Sequence, residues 1–77
     1  MVTDLERLPK GARARILEVD GGIGVVRKLD GIGLRAGKEV RKVSSQLMAG
    51  PVTVLVDGRQ VAMGRGIARR VRVEVDD

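Results

Sequence analysis

Two runs of alternating aliphatic residues meet at Asp57-Gly58. Val52, Val54 and Val56 alternate with Thr53 and Leu55 before the junction, and Val61 and Met63 alternate with Gln60 and Ala62 after it. Asp-Gly between such runs signals a two-residue β-hairpin, because a type I′ turn needs positive φ at both central positions. Glycine takes that conformation without a Cβ clash, and aspartate tolerates it. Period 2 places Val52, Val54 and Val56 on one face, opposite Val61 and Met63. Gly50 to Gly66 is therefore expected to form a hairpin whose role is to hold a small sheet together.

The core that this sheet covers must be aliphatic, since the 77 residues include no Phe, Tyr or Trp. One domain, residues 1–77, is all that such a length supports. No Cys or His is present, so thiolate and imidazole ligands, disulfides and the usual general base are excluded. With no carboxylate pair at useful spacing, and Ser44 and Ser45 lacking a neighbouring base, an enzyme is not expected. No apolar run reaches membrane-spanning length, and the opening residues lack signal-peptide order, so a cytoplasmic location is expected.

The formal net charge is +5, with Arg65, Arg69, Arg70 and Arg72 as the one tight basic cluster. Two expectations follow: a solubilising surface around a Val-rich core, or a basic nucleic-acid-binding module. Against nucleic acid stand the missing aromatic stacking platforms and the absence of a base-reading helix.

Along the chain, Leu5 and Leu8 fit one helical turn capped by Thr3 or Asp4 and ended before Pro9, with both leucines plugging the core. Ala12 to Val19 reads as the first strand, its Ile16-Leu17 end covered on both sides. Ile23 to Asp30 reads as a helix of two turns at most. Val25, Val26 and Leu29 fall at helical spacing, Arg27 and Lys28 face away, and Gly31 stands at the C′ position. The glycines between Gly21 and Gly37 match neither phosphate-binding spacing and read as turns. Lys38 to Ser44 reads as the second strand, where Val40 and Val43 differ in parity and imply a bulge. Ser45 to Ala49 reads as a loop carrying Leu47 and Met48. Arg65 to Arg69 reads as a tight or 3₁₀ turn, and Val71, Val73 and Val75 mark the fifth strand.

Five short strands with a helical insert after the first fit an SH3-like barrel, mostly β. An OB-fold would want longer strands and a helix later in the order; a ferredoxin-like fold would want two full helices. Open strand edges also allow a homo-oligomer.

Three blocks then carry a resemblance. L-x-x-L-P-x-G-A-R-A-R-I-L-E-V-D-G-G from Leu5, R-K-L-D-G-I-G-L-R-A-G from Arg27, and G-P-V-T-V-L-V-D-G-R-Q-V-A-M-G-R-G-I-A from Gly50 together resemble the FeoA family. The resemblance implies an SH3-like barrel with a helical insert, a domain also found at the C-terminus of diphtheria-toxin-repressor-type metalloregulators. It implies a small cytosolic accessory or regulatory protein of ferrous iron uptake. Its partner would be FeoB, a membrane GTPase-transporter, and its mode of action protein–protein interaction. Family descriptions extend to transition-metal binding. No cofactor is evident in the residues themselves, and Fe²⁺ or another divalent metal would have only oxygen donors, with Asp20, Asp30, Asp57 and Glu74 isolated from one another. The partner contact is expected around the helical insert, at Arg27, Lys28, Leu29, Leu34 and Arg35. The competing expectation is that Leu29 and Leu34 cap the barrel and the basic residues are solvated.

Overall fold

The alternating segments pair into one antiparallel sheet in the computed structural model, which describes residues 1–45 and 50–76. The elements are β1 (Val2–Asp4), β2 (Arg13–Val19), α1 (Ile23–Gly31), β3 (Glu39–Ser45), β4 (Val52–Val56), β5 (Arg59–Met63), α2 (Arg65–Ala68) and β6 (Val71–Val75). The sheet order is β1-β6-β2-β3-β4-β5, which leaves β1 and β5 at the edges. This mostly β arrangement of short strands is the SH3-like fold that the pattern predicts.

The hairpin forms as expected. Asp57 and Gly58 both have positive φ, 52° and 76°, and Val54 faces Val61 while Val52 faces Met63. The parity change between Val40 and Val43 also appears as predicted, as a register shift between Lys42 and Ser44 in the β3–β4 ladder. Leu5, Leu8, Ile16, Leu34, Val54 and Val73 are among the core residues with almost no exposure.

Four expectations change. The strands among the described residues number six, because Val2–Asp4 pairs with β6. Leu17 is 43% exposed rather than covered on two sides, since alternation with the buried Ala14 and Ile16 places it on the outer face. Residues Arg65–Ala68 form an α-helical turn, not a 3₁₀ turn, with the Ala68 and Arg69 N–H groups donating to the Gly64 and Arg65 carbonyls. Gly31 lies inside α1, and Gly33, at φ 93°, ends the helix instead. The Leu34 N–H donates to the Leu29 carbonyl and the Gly33 N–H to the Asp30 carbonyl. This is a Schellman closure, with both leucines buried beneath it. Leu47, Met48 and most of the loop predicted around them lie outside the described residues.

Asp4 caps the N-terminal turn as predicted: its Oδ1 accepts from the Arg7 N–H at 2.9 Å. The far end of that turn is held by Lys42, a β3 residue only 1% exposed. Its Nζ donates to the carbonyls of Leu5, Glu6 and Leu8 at 2.7, 3.0 and 2.9 Å. Lysine is almost never buried this fully unless its charge is matched by acceptors, and three carbonyls supply them.

Candidate functional site: the groove beside the inserted helix

Helix α1 has no side-chain cap at Gly22 and carries Gly24 and two valines, all poor helix formers, so packing stabilises it. It presses Leu29 into the core and leaves Val25 half-buried. Outside its core-facing stripe it also exposes two apolar side chains: Ile23 is 69% exposed and Val26 36%. Between α1, the end of β5 and α2 lies a groove of about 560 Å³ lined by Val25, Lys28, Leu29, Ile32, Met63 and Ile67, with Gly24 and Gly64 at its walls. A Cβ placed on either glycine would meet nothing within 4 Å, so the walls stay open.

The predicted contact residues separate into two groups. Leu29 and Leu34 are buried, at 3% and 0% exposure, and so serve the core. A leucine three residues past the helix end is drawn inward by the Schellman closure, which is why Leu34 is not on the surface. Arg27, Lys28 and Arg35 are exposed. Arg35 leans toward Asp30 at 3.5 Å, whereas Arg27 and Lys28 make no ion pair among the described residues. Helical spacing could mark Leu29 as a lining residue. Met63 and Ile67 enter from elements far along the chain, and no local pattern announces them.

Three of the four arginines of the cluster lean on two carboxylates, and Arg70 makes no ion pair among the described residues. Arg65 and Arg69 bracket Glu6 at 3.2 and 3.0 Å, and Arg72 meets Glu18 at 3.0 Å. The Arg69 hydrogen bond, reinforced by Arg65, holds the Glu6 carboxyl below its ordinary range against partial desolvation. Burial pushes the Lys42 ammonium below its ordinary range, and the Arg65 charge adds to that, while Glu6 and Asp4 oppose it. This pairing halves the charge of the cluster and weakens it as a track for a phosphate backbone.

Among the described residues no three His, Cys, Asp or Glu side chains come together as a metal site. A chain with neither Cys nor His lacks the thiolate and imidazole donors of the common transition-metal centres. No helix among the described residues is long and apolar enough to cross a membrane. The groove offers a binding surface with an apolar floor and Lys28 at its rim.

Comparison with known proteins places this geometry. The FeoA domain model matches residues 3–75. A candidate Fe(2+) transport protein A from Methanocaldococcus jannaschii is 29% identical over 65 residues, covering 84% of this chain and 77% of its own. The crystal structure of an iron uptake regulatory protein, FeoA, superposes with a TM-score of 0.92 at 30% identity, covering 99% of this chain and 100% of that one. The structure of Thermoplasma acidophilum IdeR superposes with a TM-score of 0.86 at 29% identity, covering 97% of this chain and 34% of that one. The same fold thus stands alone in one relative and forms part of a longer chain in another.

Proposed function

Because the chain belongs to the FeoA family, we propose that it is a small accessory protein of ferrous iron uptake. It acts in the cytoplasm by binding the cytosolic part of a FeoB-type membrane transporter. Ferrous iron is the cargo of that transporter. The observation that carries this reading is the apolar groove beside α1, rimmed by Lys28 on a helix that also exposes Ile23 and Val26. Apolar area with a charged border is the usual composition of a protein-binding patch. Lys28 supplies the basic border, Arg27 and Arg35 add exposed positive charge on the same insert outside the groove lining, and Leu29 and Leu34 keep the helix in place. No catalytic group is assigned.

The test is calorimetric titration of the FeoB cytosolic domain from the same organism, with and without a GTP analogue and Fe²⁺, alongside NMR shift mapping on this protein. Saturable binding that shifts α1 and the groove is expected. Binding that maps elsewhere would move the interface, and no binding in any nucleotide state would overturn the reading.

A further inference from the structure

Where two charged residues face one another across the sheet, they are opposite in sign at every register but one. Asp4 faces Arg72, Arg15 faces both Glu39 and Glu74, and Glu18 faces Arg72, but Arg13 faces Arg41. Like charges directly opposite destabilise a ladder. This pair is also placed where side chains come closest. The Lys42 N–H donates to the Ala12 carbonyl, which makes Arg13–Arg41 a non-hydrogen-bonded pair of the antiparallel ladder. Both arginines are exposed, and neither has an ion-pair partner among the described residues. Asp76 donates its N–H to the Arg13 carbonyl but makes no ion pair with the guanidinium.

The row continues in register. Arg41 faces Leu55, which is 36% exposed, and Leu55 faces Gln60 on the edge strand. Four strands therefore present, in one transverse line, two guanidinium groups that make no ion pair, an aliphatic side chain and an amide, with Asp76 continuing the row beyond Arg13. Hollows flank Arg41 and Leu55 on both sides; Glu39 and Asp57 line one, and Lys10 and Gln60 the other.

The geometry points to a second binding site, for an acidic-apolar peptide segment. One carboxylate sits between Arg13 and Arg41, and an apolar side chain of the same segment rests on Leu55. The spacing sets the motif. Adjacent strands lie about 4.8 Å apart, so the midpoint of the arginine pair is roughly 7 Å from Leu55. An extended peptide covers that span in about two residues, which are also the positions that share a face. The ligand class is thus Asp or Glu followed two positions later by Leu, Ile or Val. Glu39 and Asp57 beside the pair oppose a doubly charged phosphate, and the rows beyond it alternate in sign, which disfavours a polyanion. A single carboxylate meets about half of the first penalty and none of the second. This site shares no lining residue with the groove beside α1 and does not depend on the transporter reading.

The test uses the intact chain, NMR of the arginine Nε–H groups and leucine methyls, and the capped peptide Gly-Glu-Ser-Leu-Gly as probe. Saturable shifts at Arg13, Arg41 and Leu55 are expected, lost in R41E and retained in K28E. Because R41E also replaces a like-charge register with an opposite one, its melting temperature should rise above the parent's. Arg13→Gln should lose the same binding and provides a second test if R41E folds poorly. The proposal is overturned by the absence of saturable shifts up to about 10 mM peptide, an affinity too weak for a specific contact. It is also overturned by unchanged binding in either variant, by a lower melting temperature in folded R41E, or by equal shifts with inorganic phosphate or an oligothymidine.

Discussion

Replacing Lys42 by Met tests how the N-terminal turn is held. The substitution keeps an unbranched side chain in the site and removes the ammonium. The carbonyls of Leu5, Glu6 and Leu8 then lose the donor that reaches them at 2.7 to 3.0 Å. Two of those contacts are buried and one is partly buried, so water replaces the lost donor poorly. An orphaned buried acceptor costs about 1–3 kcal/mol. The mutant recovers something in return, because the ammonium no longer has to be desolvated. Setting these against each other leaves a net loss of about 2–4 kcal/mol. In a domain of this size that lowers the melting temperature by roughly 10–25 °C. The chain has no aromatic residue, so intrinsic fluorescence cannot follow unfolding. Far-ultraviolet circular dichroism in urea is the suitable assay. A K42M variant within about 0.5 kcal/mol of the parent, the range of an ordinary surface change, would refute the claim that this ammonium is the turn's anchor.

Three further outcomes are expected. Gly33→Ala should lower stability by about 1–2 kcal/mol, because a side chain is forced into positive φ at the Schellman position; its Cβ would also press on the Asp57 carboxylate at 3.3 Å, and thermal melts would show the loss. The Glu6 carboxyl, held low by Arg69 and Arg65, contributes stability above its unfolded pKa that is lost as pH falls through the folded one. Acid titration of the parent should therefore show a decline that begins in the ordinary glutamate range, continues through the lower folded value, and is smaller in Glu6→Gln. Lys28→Glu should leave the melting temperature unchanged within about 0.5 kcal/mol, as an exposed substitution does, while weakening transporter binding in calorimetry.

Sequence made those parts of the fold legible whose causes are local. The β4–β5 hairpin followed from period-2 alternation and one dipeptide, and the bulge in β3 from the parity of Val40 and Val43. β1 escaped because three residues are too few to show a period and its partner, β6, lies at the other end of the chain. Lys42 shares the parity of Val40, so the signal for its burial was present, but a lysine in that register reads as solvent-facing until the three carbonyls above it are known. The helical insert was legible as an element. Its face was read less well, because Leu34 belongs to the closure beyond the helix and turns inward with it. Of the groove, only the α1 wall could be found from spacing, since Met63 and Ile67 reach it through tertiary structure alone.

The position of β6 has a consequence for synthesis. It is the last of these strands to leave the ribosome, yet it sits inside the sheet, between β1 and β2. The β2–β3–β4–β5 meander can pair beforehand, but β2 then presents a bare edge, and β1 has no partner at all. Unpaired edges of this kind invite pairing between chains. The nascent protein therefore carries an adhesive margin until residue 75 emerges, and a chain that stops short of β6 loses the strand that joins its beginning to the rest.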